Sequence, residues 1–193
     1  MPEMEVRAVE GIELRAEAGQ PPRLIGYAAV FNSRSQDLGG FVEIIRPGAF
    51  SRTLAAKPDI RALVNHDRNR IIGRTTNGSL KVAEDERGLR VEITPIDTQA
   101  GVDIVKDVRA GNIDGMSFAF FTPLGGDRWV MGADPPLREL VSVDLIDVSP
   151  VVYPAYLKTD VAVRAFGQER QAWKIAEARR RRLAAAEAAI ARR

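Results

Sequence analysis

The sequence predicts a β-rich α+β fold, a barrel or a sandwich, with a basic helical tail appended. Three observations carry that expectation. From Leu24 to about Arg164 most segments are short apolar runs bounded by turn formers, and only one internal stretch, residues 97–112, has firm helical periodicity. The third is that residues 168–193 contain neither Gly nor Pro and are dominated by Ala, Arg and Glu. With 193 residues, the chain has room for one ordinary domain, residues 1–167, and an appendage, residues 168–193.

Taken in order, LIGYAAVF (Leu24 to Phe31) is an apolar strand with a flexible Gly26. The segment FVEII (Phe41 to Ile45) is a short strand following Gly39 and Gly40. Pro47-Gly48 breaks that strand, and a short helix can begin within RPGAFSRTLAA. IRALVNHD and RIIGRT follow as strands, then SLKVAED and LRVEITPI as a hairpin turning at Glu86-Arg87-Gly88. In DTQAGVDIVKDVRAGN, Asp97 or Thr98 caps a helix whose Val102, Val105 and Val108 share a face and which Gly111 terminates. IDGMSFAFF, DRWVM and the long RELVSVDLIDVSPVV complete the strands. In the tail, Ala176, Leu183 and Ile190 recur at seven-residue spacing, a helical stripe too thin to be stable alone.

Charge separates the two parts. The formal net charge is +2, but the tail carries eight basic and three acidic side chains, so it is +5 and the body is −3. Any nucleic-acid reading therefore rests on the tail, which lacks interleaved aromatics apart from Trp173. The start, MPEMEVRAVEG, has neither the basic nor the apolar region of a secretory signal, and no run approaches ~18 apolar residues, so a soluble intracellular protein is expected, with no membrane partner.

The absence of cysteine excludes disulfides, thiolate metal sites and cysteine nucleophiles. One histidine excludes a three-histidine zinc site and a HExxH helix, so no cofactor is expected and any imidazole chemistry falls to His66. Strand alternation places His66 with Ala62 and Val64, emerging at a strand end beside Asn65 and Asp67. Of seven serines, Ser117 alone sits inside a hydrophobic strand, preceded on its face by Ile113 and the small Gly115. By pattern alone it reads first as a buried serine bonded to a neighbouring carbonyl. In VSVDLIDVS, Asp147 follows Val141, Val143 and Leu145 on the core face, where an unpaired carboxylate would cost several kcal/mol. His66 is one suitable partner for it; Arg61, Arg74 and Arg138 are others, and Asp67 could orient His66 instead.

Six strings add to this. GYAAVFN, EIIRPGAF, ALVNHD, IIGRT, the helix ending in VRAGNIDGMSFAF, and LIDVSPVVYPAY occur in this order between Leu24 and Tyr156. Together they resemble the tailed-phage prohead maturation protease family, relatives of the herpesvirus assemblins. The resemblance implies an assemblin-like closed β-barrel flanked by helices. It also implies a serine endopeptidase acting inside the immature capsid in the host bacterial cytoplasm, encoded by a phage or an integrated prophage. Its substrates would be scaffold or the scaffold-like segment of the major capsid protein, and then itself. Portal or other prohead components and self-association fit the same setting. Ser117 of GMSF then matches the nucleophile and His66 of NHD the general base. The third position, a histidine in the herpesvirus relatives and often an acid in phage members, falls on Asp147. The tail would recruit the protease by pairing with a helical scaffold segment, a stronger reading than phosphate binding. The alternatives are a non-catalytic assembly protein, in which the three residues do not converge, and a nucleic-acid-binding module acting through the tail.

Overall fold

A computed structural model describes residues 4–153 and 160–190. The elements are β1 (Glu5–Glu10), β2 (Ile12–Arg15), β3 (Arg23–Val30), β4 (Val42–Ile45), α1 (Ser51–Ala55), β5 (Arg61–Val64), β6 (Asp67–Arg74), β7 (Leu80–Glu84) and β8 (Gly88–Ile93). They continue with α2 (Gln99–Ala110), β9 (Gly115–Phe121), β10 (Asp127–Val130), β11 (Leu137–Leu140), β12 (Asp144–Val151) and α3 (Asp160–Ile190). The class is β-rich α+β. α2 begins and ends where the sequence indicates, with Thr98 accepting from the Gly101 N–H and Gly111 left-handed at φ +75.

The strands form three sheets, ordered β1-β9-β12-β5-β6, β10-β11-β4 and β2-β3-β8-β7. The closed barrel implied by the resemblance is not formed. On one side, the chain turns at Gly11 (φ +109), so that β1 pairs with β9 and β2 with β3. On the other side β6 and β7 meet without a ladder. The segment after β8 bridges them: the Ile96 N–H donates to Ile72 O of β6 at 3.1 Å, and the Thr94 N–H donates to Ser79 O at 2.8 Å, extending the β7–β8 pairing by one residue. The β5–β6 pairing shifts register at Ala62/Leu63 and again at Leu63/Val64, and such bulges twist an edge strand away from its next neighbour.

The three sheets enclose a common core in which Phe118 stacks on Phe120 and meets Phe50 edge-on. Gly26 is a point of close approach here rather than of flexibility. A Cβ there would lie 2.6 Å from the Gly11 carbonyl oxygen and 3.3 Å from the Met116 side chain. Gly26→Ala is expected to destabilise the domain by about 1–3 kcal/mol, read as a lower urea midpoint at unchanged slope.

Two features were invisible to hydrophobic patterning. β1 and β2 precede the first strand expected from the sequence, because Glu5 and Arg7 are fully buried and break the apolar signature of β1. Four charged side chains, Glu5, Arg7, Glu43 and Arg138, form one enclosed network between the first two sheets. The long run RELVSVDLIDVSPVV is also two strands, β11 and β12, in different sheets.

α3 begins within the body. Phe166 packs against Phe41 and Trp129, with ring centroids 5.2 and 5.7 Å away, and it fills the space that a Cβ at Gly40 would need. Farther along, Ile175 and Leu183 are exposed, and Glu177 pairs with Arg180 and Arg181 on the helix surface. No described helix is long and apolar enough to cross a membrane.

Candidate active site

His66 does not end a strand, as alternation suggested. β5 stops at Val64, which pairs with Asp67 of β6, and Asn65-His66 form the two-residue turn between them. Both turn residues are left-handed, at φ +52 and +58, the backbone of a type I′ hairpin. Asn and His are among the side chains that tolerate this conformation, but it is uncommon for any residue other than glycine, and two in succession must be held. β12 holds them. The Asn65 N–H donates to Pro150 O at 3.0 Å, and the Val152 N–H donates to the Asn65 side-chain oxygen at 3.0 Å. The His66 N–H donates to Ser149 Oγ at 3.1 Å.

The turn sends the imidazole back over the sheet. Ser117 is the third residue of β9, opposite Ala8 of β1 and Ser149 of β12, and is fully enclosed. Asp147, two residues before Ser149 on the same strand, is buried with it. His66 Nδ1 is 2.5 Å from Asp147 Oδ1, and His66 Nε2 is 2.7 Å from Ser117 Oγ. The three residues expected from the sequence therefore converge. With the carboxylate accepting the Nδ1 proton, Nε2 is left as an acceptor facing the hydroxyl, which is the arrangement a general base needs. Ser117 also donates to Arg7 O at 2.8 Å. Ser117 is thus a buried serine bonded to a carbonyl as well as a neighbour of the imidazole.

The competing partners are occupied elsewhere. Asp67 is exposed and accepts from Asn69, not from His66. Arg61 and Arg74 both engage Asp59, whose carboxyl is pulled down to about 2, first by the Arg74 hydrogen bond. Arg138 belongs to the buried network. Asp147 faces the one histidine instead. A residue that patterning passed over is Ser149, whose Oγ lies 3.3 Å from Asp147 Oδ1. Its signal was its place two residues after Asp147 on the same strand face. Beside Asp147 opens a cavity of about 290 Å³ lined by Arg61, Leu63, Arg68, Ile71 and Ile146. Among the described residues no group of acidic or histidine side chains could hold a metal ion.

A serine hydroxyl, an imidazole and a carboxylate in one hydrogen-bonded line are suited to acyl transfer. Comparison with known proteins points to the same chemistry. The family model for caudovirus prohead serine protease matches residues 3–172. Among solved structures, the fold is similar to the bacteriophage T4 capsid assembly protease gp21. The TM-score is 0.51 at 11% identity, over 78% of this chain and 97% of that one. No curated protein matches the chain. At that identity the likeness to gp21 is one of fold, and the family match over most of the sequence carries the assignment. The chain belongs to the caudovirus prohead serine proteases, endopeptidases of phage capsid maturation.

Proposed function

We propose that Ser117 is the nucleophile, His66 the general base and Asp147 the acid that orients it. In this reading the protein cleaves scaffold, or the scaffold-like segment of the major capsid protein, within the prohead, and then cleaves itself. The observation that carries the proposal is the unbroken relay from Asp147 to the sole histidine to Ser117, at 2.5 and 2.7 Å. His66 takes the Ser117 hydroxyl proton as Oγ attacks the scissile carbonyl. It then returns that proton to the leaving amine, while Asp147 stabilises the imidazolium and fixes its tautomer. The hydroxyl has one proton and two acceptors, His66 Nε2 and Arg7 O, and attack requires the proton on the His66 line. The tetrahedral oxyanion needs backbone N–H donors, typically worth ~3 kcal/mol each. The cavity beside Asp147, with an apolar floor of Leu63, Ile71 and Ile146, gives a substrate side chain a place to bind.

The division of labour follows the charge. The acidic body, residues 1–167, performs the cleavage, and the basic segment 168–193 recruits the enzyme to a helical scaffold segment. The exposed Ile175 and Leu183 and the arginines around them support that reading.

Co-expression with the phage's own capsid protein tests the proposal. The wild type is expected to yield shortened capsid subunits in the mass spectrum, and Ser117→Ala to leave them full length while still entering the particle. Continued shortening with Ser117→Ala overturns the nucleophile assignment.

A further inference from the structure

Ser149 is completely buried and lies between the two ends of the His66–Asp147 pair. Its hydroxyl has three polar neighbours: the His66 backbone N–H at 3.1 Å, Asp147 Oδ1 at 3.3 Å and His66 Nδ1 at 3.4 Å. A hydroxyl can donate once and accept twice. The backbone N–H can only donate, so Ser149 Oγ accepts there. Nδ1 already gives its proton to Asp147 at 2.5 Å, which leaves Asp147 Oδ1 as the acceptor for the Ser149 proton. The roles close without an unsatisfied group, in keeping with a site in which no buried described side chain lacks a partner.

From this geometry we propose that Ser149 is a positioning residue of the triad. It rests on the proposed roles of Ser117, His66 and Asp147, and deepens them. One hydroxyl does two jobs. By accepting the His66 N–H it fixes the left-handed backbone at φ +58, uncommon outside glycine, and so sets where the imidazole begins. By donating to Asp147 Oδ1 it holds the carboxylate in the orientation that meets Nδ1. The base and its acid come from β12 and a turn two strands' width from the nucleophile strand, yet a single atom registers one against the other. The neighbouring contacts of Asn65 with Pro150 and Val152 hold the turn's other residue to the same strand and do not involve the imidazole. Among the described residues, Ser149 hydrogen-bonds to both His66 and Asp147 and is neither of them.

The sole histidine makes the test direct, because imidazole signals in the full-length protein can come from no other residue. Wild type, Ser149→Ala, Ser149→Thr, Ser149→Val and Ser149→Cys are compared in two ways. The first is the far-downfield proton resonance of His66 Nδ1–H bonded to a carboxylate, which is read without any substrate. The second is kcat and KM, as functions of pH, on a peptide spanning a processing site mapped from the capsid subunits. Ser149→Ala is expected to shift the resonance upfield or broaden it away, and to lower kcat about ten- to thirtyfold with KM within twofold. Ser149→Thr keeps the hydroxyl and should restore both readouts, while Ser149→Val, of the same shape, should not. Ser149→Cys keeps the size of the side chain and serves if the alanine variant does not fold; its weak thiol donor should give intermediate values. An unchanged resonance and kcat in Ser149→Ala overturn the proposal, as does equal rescue by valine and threonine, which would reduce Ser149 to packing. Failure of the triad reading looks different: Ser117→Ala would still cleave, whatever the resonance does.

Discussion

Asp147→Asn is expected to lower kcat by about four orders of magnitude while the protein stays folded. The asparagine amide can still reach His66 Nδ1, but an amide nitrogen there donates and an amide oxygen carries no charge. If the amide donates, Nδ1 becomes the acceptor and the proton moves to Nε2, where it blocks the line to Ser117 Oγ at 2.7 Å. If the oxygen faces Nδ1, the tautomer survives but the imidazolium formed during attack has lost its counter-charge. Either outcome removes stabilisation that exists in the transition state more than in the ground state, so the loss appears in kcat. Asn is nearly isosteric with Asp, and Asp147 has no cationic partner among the described residues except His66, so thermal unfolding should shift by only a few degrees. Asp67→Asn is the control. Its carboxylate is exposed and turned to Asn69, so single-turnover cleavage should stay within twofold of wild type. The reverse pattern, with loss in Asp67→Asn and retention in Asp147→Asn, would overturn the assignment of the acid.

How far the sequence carried this site differs from residue to residue, for physical reasons. Ser117 was legible because a polar residue in a seven-residue buried strand is conspicuous under period-two reading. Asp147 was legible for the same reason, even though β12 carries a register shift between Leu145 and Asp147 that leaves Ile146 part exposed. His66 was found by composition, as the only histidine, but its setting was misread. Alternation assumes that a strand continues, and nothing in VNHD announces two left-handed residues without a glycine. Ser149 shared the strand face of Asp147 in the sequence reading, but its contact with the His66 N–H exists only because of the turn at 65–66, which alternation does not reveal. Of the helices, α2 was legible from its caps, Thr98 and Gly111. β1 was not, because its inward face carries Glu5 and Arg7, and burial of charges can be recognised only once their partners, distant in sequence, are in place.

Those partners set the second large effect. Arg138→Met is expected to destabilise the domain by about 3–5 kcal/mol and to lower cleavage activity with it. Arg138 donates to Glu5 at 2.6 Å, to Glu43 at 3.1 Å and to Asp127 at 2.7 Å, and Arg7 closes the circuit to Glu43 and Glu5 at 2.7 and 2.9 Å. Removing one arginine leaves two buried carboxylates sharing one cation, the costly outcome, whereas replacing a whole network by apolar groups is often neutral. The activity loss follows from position: Arg7 is both a member of the network and the residue whose carbonyl accepts from Ser117 Oγ, so the charges fix β1 against the nucleophile strand. Acid provides an independent reading. Burial alone would raise the Glu5 carboxyl, but the Arg138 hydrogen bond and the charges of Arg138 and Arg7 outweigh it and hold Glu5 below its ordinary value of 4.5. A carboxyl lowered on folding contributes stability that is present above the unfolded value and fades as pH falls through the folded one. Urea midpoints measured from pH 7 down to pH 3 should therefore show wild type converging toward Glu5→Gln below about pH 4.5. A constant gap across that range would mean that the Glu5 charge contributes nothing to holding β1 in place.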